Sequence, residues 1–265
     1  MPELPEIQTI VDILRRRIPG RAITEAWLRP RSLYRKGSLS MRLVVGKSVA
    51  DVTRLGKNVV LELDPVGHVL FNLGMTGRLI VGEAVLERAL HAQLAFHDGT
   101  RLSYYDTRRF GFVFITEKPE LRELLRVGPD PFEVKPRDLE KMLNGRKAPI
   151  KALLLNQRLV SGMGNIYTDE ALHRAGIHPL TKGHEAAPHA RRILFASRAV
   201  LRAAIRHGGS TIRDYRKTDG TRGDFQSRLA VYGKKGESCP RCGETIRKIV
   251  VASRGTHFCP RCQIF

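Results

Sequence analysis

Four cysteines, all in the last 27 residues of a 265-residue chain, constrain this fold more than any other feature. Cys239-Pro240-Arg241-Cys242 and Cys259-Pro260-Arg261-Cys262 give the spacing C-x2-C-x16-C-x2-C. Two such pairs offer four thiolates to one tetrahedral zinc ion and leave no coordination position open for catalysis. The stretch between the pairs is too short to bury a core, so the metal has to replace one. Ile246–Val251 and Arg254–Phe258 fit the two strands of a hairpin finger. Acidic residues at positions 3 and 6 stand where a secretory leader would be basic or apolar. Clustered cysteines without a leader point to metal rather than disulfides, and to the cytoplasm.

The charge balance names the class of partner. Forty-six Lys+Arg against 26 Asp+Glu give a net charge of +20 and a pI near 10.5. Such an excess favours a polyanion, most simply nucleic acid. An acidic membrane surface is the rival reading. It lacks support: there is no apolar run of about 18 residues and no amphipathic helix with a purely basic face. From His207 to the end the chain carries 12 Lys+Arg and 5 Asp+Glu, so the finger is itself a candidate DNA contact. A solvated basic hairpin is the bland alternative.

The N-terminus, Met1-Pro2-Glu3-Leu4-Pro5-Glu6, offers chemistry that no internal residue can. With Met1 removed, Pro2 presents a secondary amine. An α-amine has an ordinary pKa of roughly 7.7–8.0, so part of it is neutral near pH 7. Such an amine can attack an electrophilic carbon and form an iminium ion, as lysine does in Schiff-base enzymes. Glu3 and Glu6 supply carboxylates for proton transfer beside it. Read alone, these residues also suit the first turn of a helix.

Along the chain, Ile7, Ile10, Val11, Leu14 and Ile18 form one apolar stripe and predict a helix over 5–18, closed by Pro19-Gly20. Residues 21–115 read as short antiparallel strands. Hairpins join 59–63 to 68–73 and 92–97 to 101–105, the second through Asp98-Gly99. A sandwich or a barrel satisfies this spacing. Residues 116–136 read as a linker, and helices are expected near 137–144, 149–157, 167–175 and 188–206. The glycine-rich polar stretch 210–227 reads as a mobile loop or lid. Gly162, Gly164 and Asn165 precede one predicted helix, an arrangement that suits phosphate but is common in turns. Met75, in Gly74-Met75-Thr76-Gly77, and Phe110, in Thr107-Arg108-Arg109-Phe110-Gly111, sit in turns after strands. Each, taken singly, is an ordinary core residue; together they are candidate wedges for a base stack.

Five stretches in order resemble one family, the formamidopyrimidine-DNA glycosylase/endonuclease VIII family of base-excision repair. They are Pro2–Glu6, Leu73–Gly77, Asp106–Gly111, Gly164–Glu170 and the cysteine tail with Arg254–Cys259. The resemblance implies an α+β multidomain chain. An N-terminal β-sandwich with a flanking helix would fill 1–116, followed by a linker over 117–136. A helix-two-turn-helix domain with a lesion loop near 210–227 would span 137–229, and a zinc finger 230–265. It implies a bifunctional glycosylase and abasic-site lyase in which Pro2 attacks C1′ of the damaged nucleoside. Glu3 would open the sugar or protonate leaving groups, and Glu6 would support the terminus. Lys57 would hold a phosphate beside this catalytic group. Asn72, Lys151, Asn165 and Arg254 would contact DNA. Met75, Arg108 and Phe110 would fill the gap left by an everted base, with Arg108 reading the orphaned partner. Cys239, Cys242, Cys259 and Cys262 would hold one Zn2+. A monomer acting on double-stranded damaged DNA, away from membranes, is expected.

The wedge and the loop at 210–225 resemble the branch directed at oxidised purines. Asn72 departs from it, standing where a histidine is common, so that phosphate contact loses a charge. Thr107 stands where proline is common. Two rival readings remain at this point: an endonuclease VIII-type enzyme for oxidised pyrimidines, and a non-catalytic zinc protein that binds nucleic acid.

Overall fold

The computed structural model describes residues 1–29, 33–82, 89–212, 215–218 and 220–264. The chain divides into two compact units, each described by itself: residues 1–125 with 207–226, and residues 126–206 with 227–265.

The first unit is two antiparallel four-stranded sheets with a helix laid on one of them. Helix α1 (Leu4–Arg15) opens the chain and buries Leu4, Ile7, Ile10, Val11 and Leu14. It stops three residues earlier than its apolar stripe suggests. Ile18 stays buried as part of the turn before Pro19. Strands β1 (Ile23–Leu28), β2 (Ser48–Leu55), β3 (Asn58–Asp64), β4 (His68–Asn72), β5 (Arg78–Val81), β6 (Leu90–Phe96), β7 (Arg101–Tyr105) and β8 (Phe112–Thr116) follow. One sheet has the order β1-β6-β7-β5 and the other β2-β3-β4-β8. The two hairpins expected from turn chemistry are β3–β4 and β6–β7. Helix α1 packs on β2 and β3. Val52, Val59, Leu61, Val69, Phe71, Leu94 and Tyr104 belong to the shared core. A short helix α2 (Leu121–Leu125) forms inside the stretch expected to be a linker. The segment 207–226, expected to be a loop of the second domain, packs with this first unit. Residues 213, 214 and 219 of it lie outside the described residues.

The second unit is helical with a terminal hairpin. Its elements are α3 (Pro136–Leu143), α4 (Ile150–Leu155), α5 (Asn165–Ala175), α6 (Gly183–Ala186), α7 (Ala190–Arg206), β9 (Arg247–Val251) and β10 (Arg254–Phe258). Helix α5 is buried on nearly every side, packed by α7, α4 and β10. A helix in that position needs partners for its polar residues, and Asp169, Glu170 and His173 all find them in the C-terminal finger or in the segment leading to it. Glu170 accepts three backbone N–H bonds at 2.8–2.9 Å, from Ala230, Val231 and Tyr232. This carboxylate anchors the chain on its way into the finger.

Candidate catalytic terminus and nucleic-acid interface

The N-terminal residues are held rather than loose. Pro2, Glu3 and Glu6 are buried at the head of α1. Glu6 joins two separate pieces of chain through its two oxygens. Oε2 accepts the Glu3 N–H at 2.7 Å, and Oε1 accepts the Ser210 N–H at 2.7 Å. The Tyr215 hydroxyl donates to the Glu6 carbonyl at 3.4 Å. One carboxylate therefore fixes both the terminus and the start of the 210–226 segment. Met1 is exposed and acylates the Pro2 nitrogen, which becomes an amine only when Met1 is cleaved. Lys57 is buried in the β2–β3 turn. Arg54 ties that turn to α1, donating to Gly56 O at 3.1 Å and to Gln8 Oε1 at 2.8 Å.

The wedge candidates come together on the same unit. Met75 is 36% exposed and Phe110 57%, so neither is a core residue. The Arg108 guanidinium lies 4.6 Å from the centre of the Phe110 ring and approaches the Met75 sulfur at 3.6 Å. Two loops hold this trio, and a residue that sequence reasoning missed binds them. Asp106 is fully buried. It accepts from the Thr76 hydroxyl at 2.5 Å, the Arg108 N–H at 3.3 Å and the Gly111 N–H at 2.8 Å. Tyr104, whose ionisation is pushed well up by burial and then by Asp106, offers its hydroxyl at 3.5 Å. At Gly74, φ is +54° and a Cβ would lie 2.6 Å from the Gly111 nitrogen, so the loops touch backbone to backbone. Arg109 takes a left-handed φ of 54°, a conformation costly for a residue with a side chain. Asp106→Asn keeps the shape but turns an acceptor into a donor facing donors. We expect a loss of about 1–3 kcal/mol from the loop pair. Amide hydrogen exchange should then quicken at Gly74–Gly77 and Arg108–Gly111 by about tenfold or more, while the strands of both sheets keep their protection.

Asn72 is occupied within its own turn. Its Oδ1 accepts the Gly74 N–H at 3.1 Å and its Nδ2 donates to Asn58 Oδ1 at 2.9 Å. One amide hydrogen is left for another acceptor.

In the second unit the arrangement differs from expectation at Lys151. Its side chain is 0% exposed and its donors are spent inside the protein. Nζ reaches Asp169 Oδ1 at 2.6 Å, Thr256 Oγ1 at 2.7 Å and the Gly255 carbonyl at 3.4 Å. Lys151 does not project toward a ligand; it locks β10 onto helices α4 and α5. Burial of this kind depends on partners more than one hundred residues away in sequence, which local patterning does not report. Asp169 also accepts the His257 N–H at 2.8 Å. The Asn165 amide donates to the Gly255 carbonyl at 3.0 Å, which brings the start of α5 to the hairpin tip. Arg254, beside Gly255, is exposed. The hairpin turns through Ala252 and Ser253, both with positive φ (49° and 58°), in the two-residue form usually given to Asn and Gly. Strained backbone thus sits next to the exposed arginine.

The four sulfurs fit a zinc ion. All four lie within 4.8 Å of one another, with Cys239–Cys262 at 3.9 Å and Cys242–Cys259 at 3.5 Å. A tetrahedron with Zn–S bonds of about 2.3 Å has S···S edges of about 3.8 Å. His173 adds support from α5: its Nε2 is 3.4 Å from Cys239 Sγ. Burial, and secondarily Arg241, pulls its pKa down to about 4, so the ring is neutral and can donate to a thiolate. Such outer partners are worth 10–100-fold in metal affinity by mutation. His173→Leu should let a chelator strip zinc about tenfold more readily, measured by the release equilibrium with a colorimetric chelator.

Comparison with known proteins matches this geometry from end to end. The formamidopyrimidine-DNA glycosylase N-terminal domain matches residues 1–113, the H2TH domain of the same enzymes 127–216, and the zinc finger found in FPG and IleRS 236–264. Formamidopyrimidine-DNA glycosylase of Chloroflexus aurantiacus is 40% identical over 274 residues, covering 100% of this chain and 98% of that one. The Solibacter usitatus enzyme is 41% identical, with 99% of each covered. The crystal structure of Thermus thermophilus MutM (Fpg) superposes with a TM-score of 0.88 at 40% identity, covering 99% and 98%. Lactococcus lactis Fpg bound to DNA containing an abasic site superposes with a TM-score of 0.87 at 33% identity, covering 99% and 100%. The fold is that of a zinc-finger glycosylase with a β-sandwich and an H2TH domain, and the chain belongs to the formamidopyrimidine-DNA glycosylase family.

Proposed function

We propose that this chain excises oxidised purines, 8-oxoguanine and formamidopyrimidines, from duplex DNA and then cuts the strand. It is a DNA glycosylase of base-excision repair. The observation that carries the excision and strand-cutting chemistry is the buried Pro2–Glu3 terminus, pinned by Glu6; the purine preference rests on the grouping of Met75, Arg108 and Phe110. A base inside a duplex cannot be reached, so the nucleotide is everted at a cost of a few kcal/mol. Met75, Arg108 and Phe110 fill the gap, and Arg108 donates two hydrogen bonds to the orphaned cytosine. The Pro2 amine attacks C1′, the glycosidic bond breaks, and Glu3 supplies a proton during sugar opening or base departure. The resulting iminium acidifies the C2′ hydrogen. Loss of that proton expels the 3′ phosphate, a second elimination expels the 5′ phosphate, and hydrolysis returns the amine. Lys57, Asn165 and Arg254 hold phosphates, with Asn72 a weaker uncharged contact. Lys151 acts indirectly by holding the hairpin beside Asn165. Zinc, when bound, supplies a structural cross-link for the finger and takes no part in the chemistry.

The substrate class is tested with matched duplexes holding 8-oxoguanine opposite cytosine or thymine glycol opposite adenine. Faster cleavage of the purine lesion is expected. Preference for thymine glycol would give the pyrimidine reading instead.

A further inference from the structure

Helix α7 carries a surface that the glycosylase reaction does not use. Over its 17 residues there are five arginines and no acid. Arg198 and Arg202 have local work: Arg198 donates to the carbonyls of Pro131 and Val134, and Arg202 lies 5.4 Å from the centre of the Phe132 ring. Arg191 and Arg192 have no acidic partner among the described residues, and both stand in the first turn of α7. Beside them Phe195 is 72% exposed, the second most exposed of the large apolar side chains described. Pro188, His189, Arg191, Arg192 and Phe195 line an open notch of about 380 Å³. The nearby Glu185 sits by Lys182 and His184, so it does not neutralise the notch.

We propose that this notch docks an acidic peptide segment of a partner protein carrying bulky apolar side chains. Two features select that occupant. The unopposed guanidinium groups call for carboxylates, which they bind in a fixed fork geometry. The exposed ring and the notch call for an apolar side chain, because an aromatic anchor flanked by arginine is the usual energetic centre of a protein interface. Duplex DNA meets only half of this: its outer face offers phosphates and nothing to cover Phe195. A second copy of the chain, with its net charge of +20, is repelled.

The test is fluorescence anisotropy of the full-length protein with a fluorescein-labelled peptide, Asp-Asp-Glu-Leu-Asp-Asp-Phe-Asp. Saturable binding is expected. It should weaken about tenfold or more in Phe195→Ala, and to a similar extent when the peptide's Leu and Phe are both Ala. Arg191→Gln/Arg192→Gln should lose most of the binding, while cleavage of lesion-containing duplex stays at its original rate. Circular dichroism confirms that the variants are folded. The proposal is overturned if these variants bind the peptide unchanged, or if the protein self-associates through this face. It is equally overturned if the variants lose duplex affinity in parallel with peptide affinity, since the face would then belong to the DNA surface. Failure here leaves the glycosylase reading untouched, because lesion cleavage is scored separately.

Discussion

Protein that keeps Met1 is expected to bind lesion-containing duplex and leave it uncut, whereas the same chain with Pro2 exposed excises the base. The difference is one lone pair. In the first form the Pro2 nitrogen is an amide, planar and delocalised, with no nucleophilic electrons. In the second it is a secondary amine with an ordinary pKa of roughly 7.7–8.0, partly neutral near pH 7. The two contacts by which Glu6 holds the Glu3 and Ser210 amides do not involve Met1, so its removal leaves their partners in place. Pro2→Gly supplies an intermediate case. It restores a primary amine but empties the buried proline site, so the nucleophile is displaced. A misplacement of about 1 Å costs about 10²-fold, and we expect a fall of that size in single-turnover excision with little loss of affinity. Equal rates for the processed and unprocessed forms would remove Pro2 from the reaction.

Lys151→Met is expected to be the most destabilising single change in the C-terminal unit. It leaves the fully buried Asp169 without its cation, an error that costs about 3–5 kcal/mol. Asp169 also takes the His257 N–H, so the damage passes into β10 and the hairpin tip. DNA affinity should fall as a consequence, since Asn165 and Arg254 lose their common support at Gly255. The pair Lys151→Met/Asp169→Asn removes both charges and keeps an acceptor for His257. It should regain a substantial part of the lost stability, which a urea titration measures. If Lys151→Met melts like the original protein yet binds DNA with a salt dependence weaker by about one phosphate contact, the lysine is a direct ligand after all.

What the sequence disclosed follows from how local each feature is. The cysteine quartet, the β3–β4 and β6–β7 hairpins and the finger strands rest on short spacings, and they form as expected. Met75 and Phe110 are candidate wedges from their turns alone, but Arg108 joins them only through the family resemblance, because Met75 and Arg108 are 33 residues apart. Asp106, which binds their loops, opens one of the matched stretches, but no local pattern gives it a role. Its identity lies in donors from Thr76 and Gly111 that meet only after β4, β7 and β8 align. Asp169, Glu170 and His173 were legible as a helix but not as buried anchors, since burial is a tertiary fact. The placement of 207–226 with the first unit rests on Glu6, some two hundred residues away. The finger's Ala252-Ser253 turn carries no glycine or asparagine, and only the two flanking strands mark its place.

Borohydride reduction during the reaction tests the central claim most directly. Processed protein is mixed with an 8-oxoguanine duplex, trapped, digested and analysed by mass spectrometry. The account predicts a stable protein–DNA adduct on the peptide that begins at Pro2. No adduct, or one carried by an internal lysine such as Lys57, would contradict it.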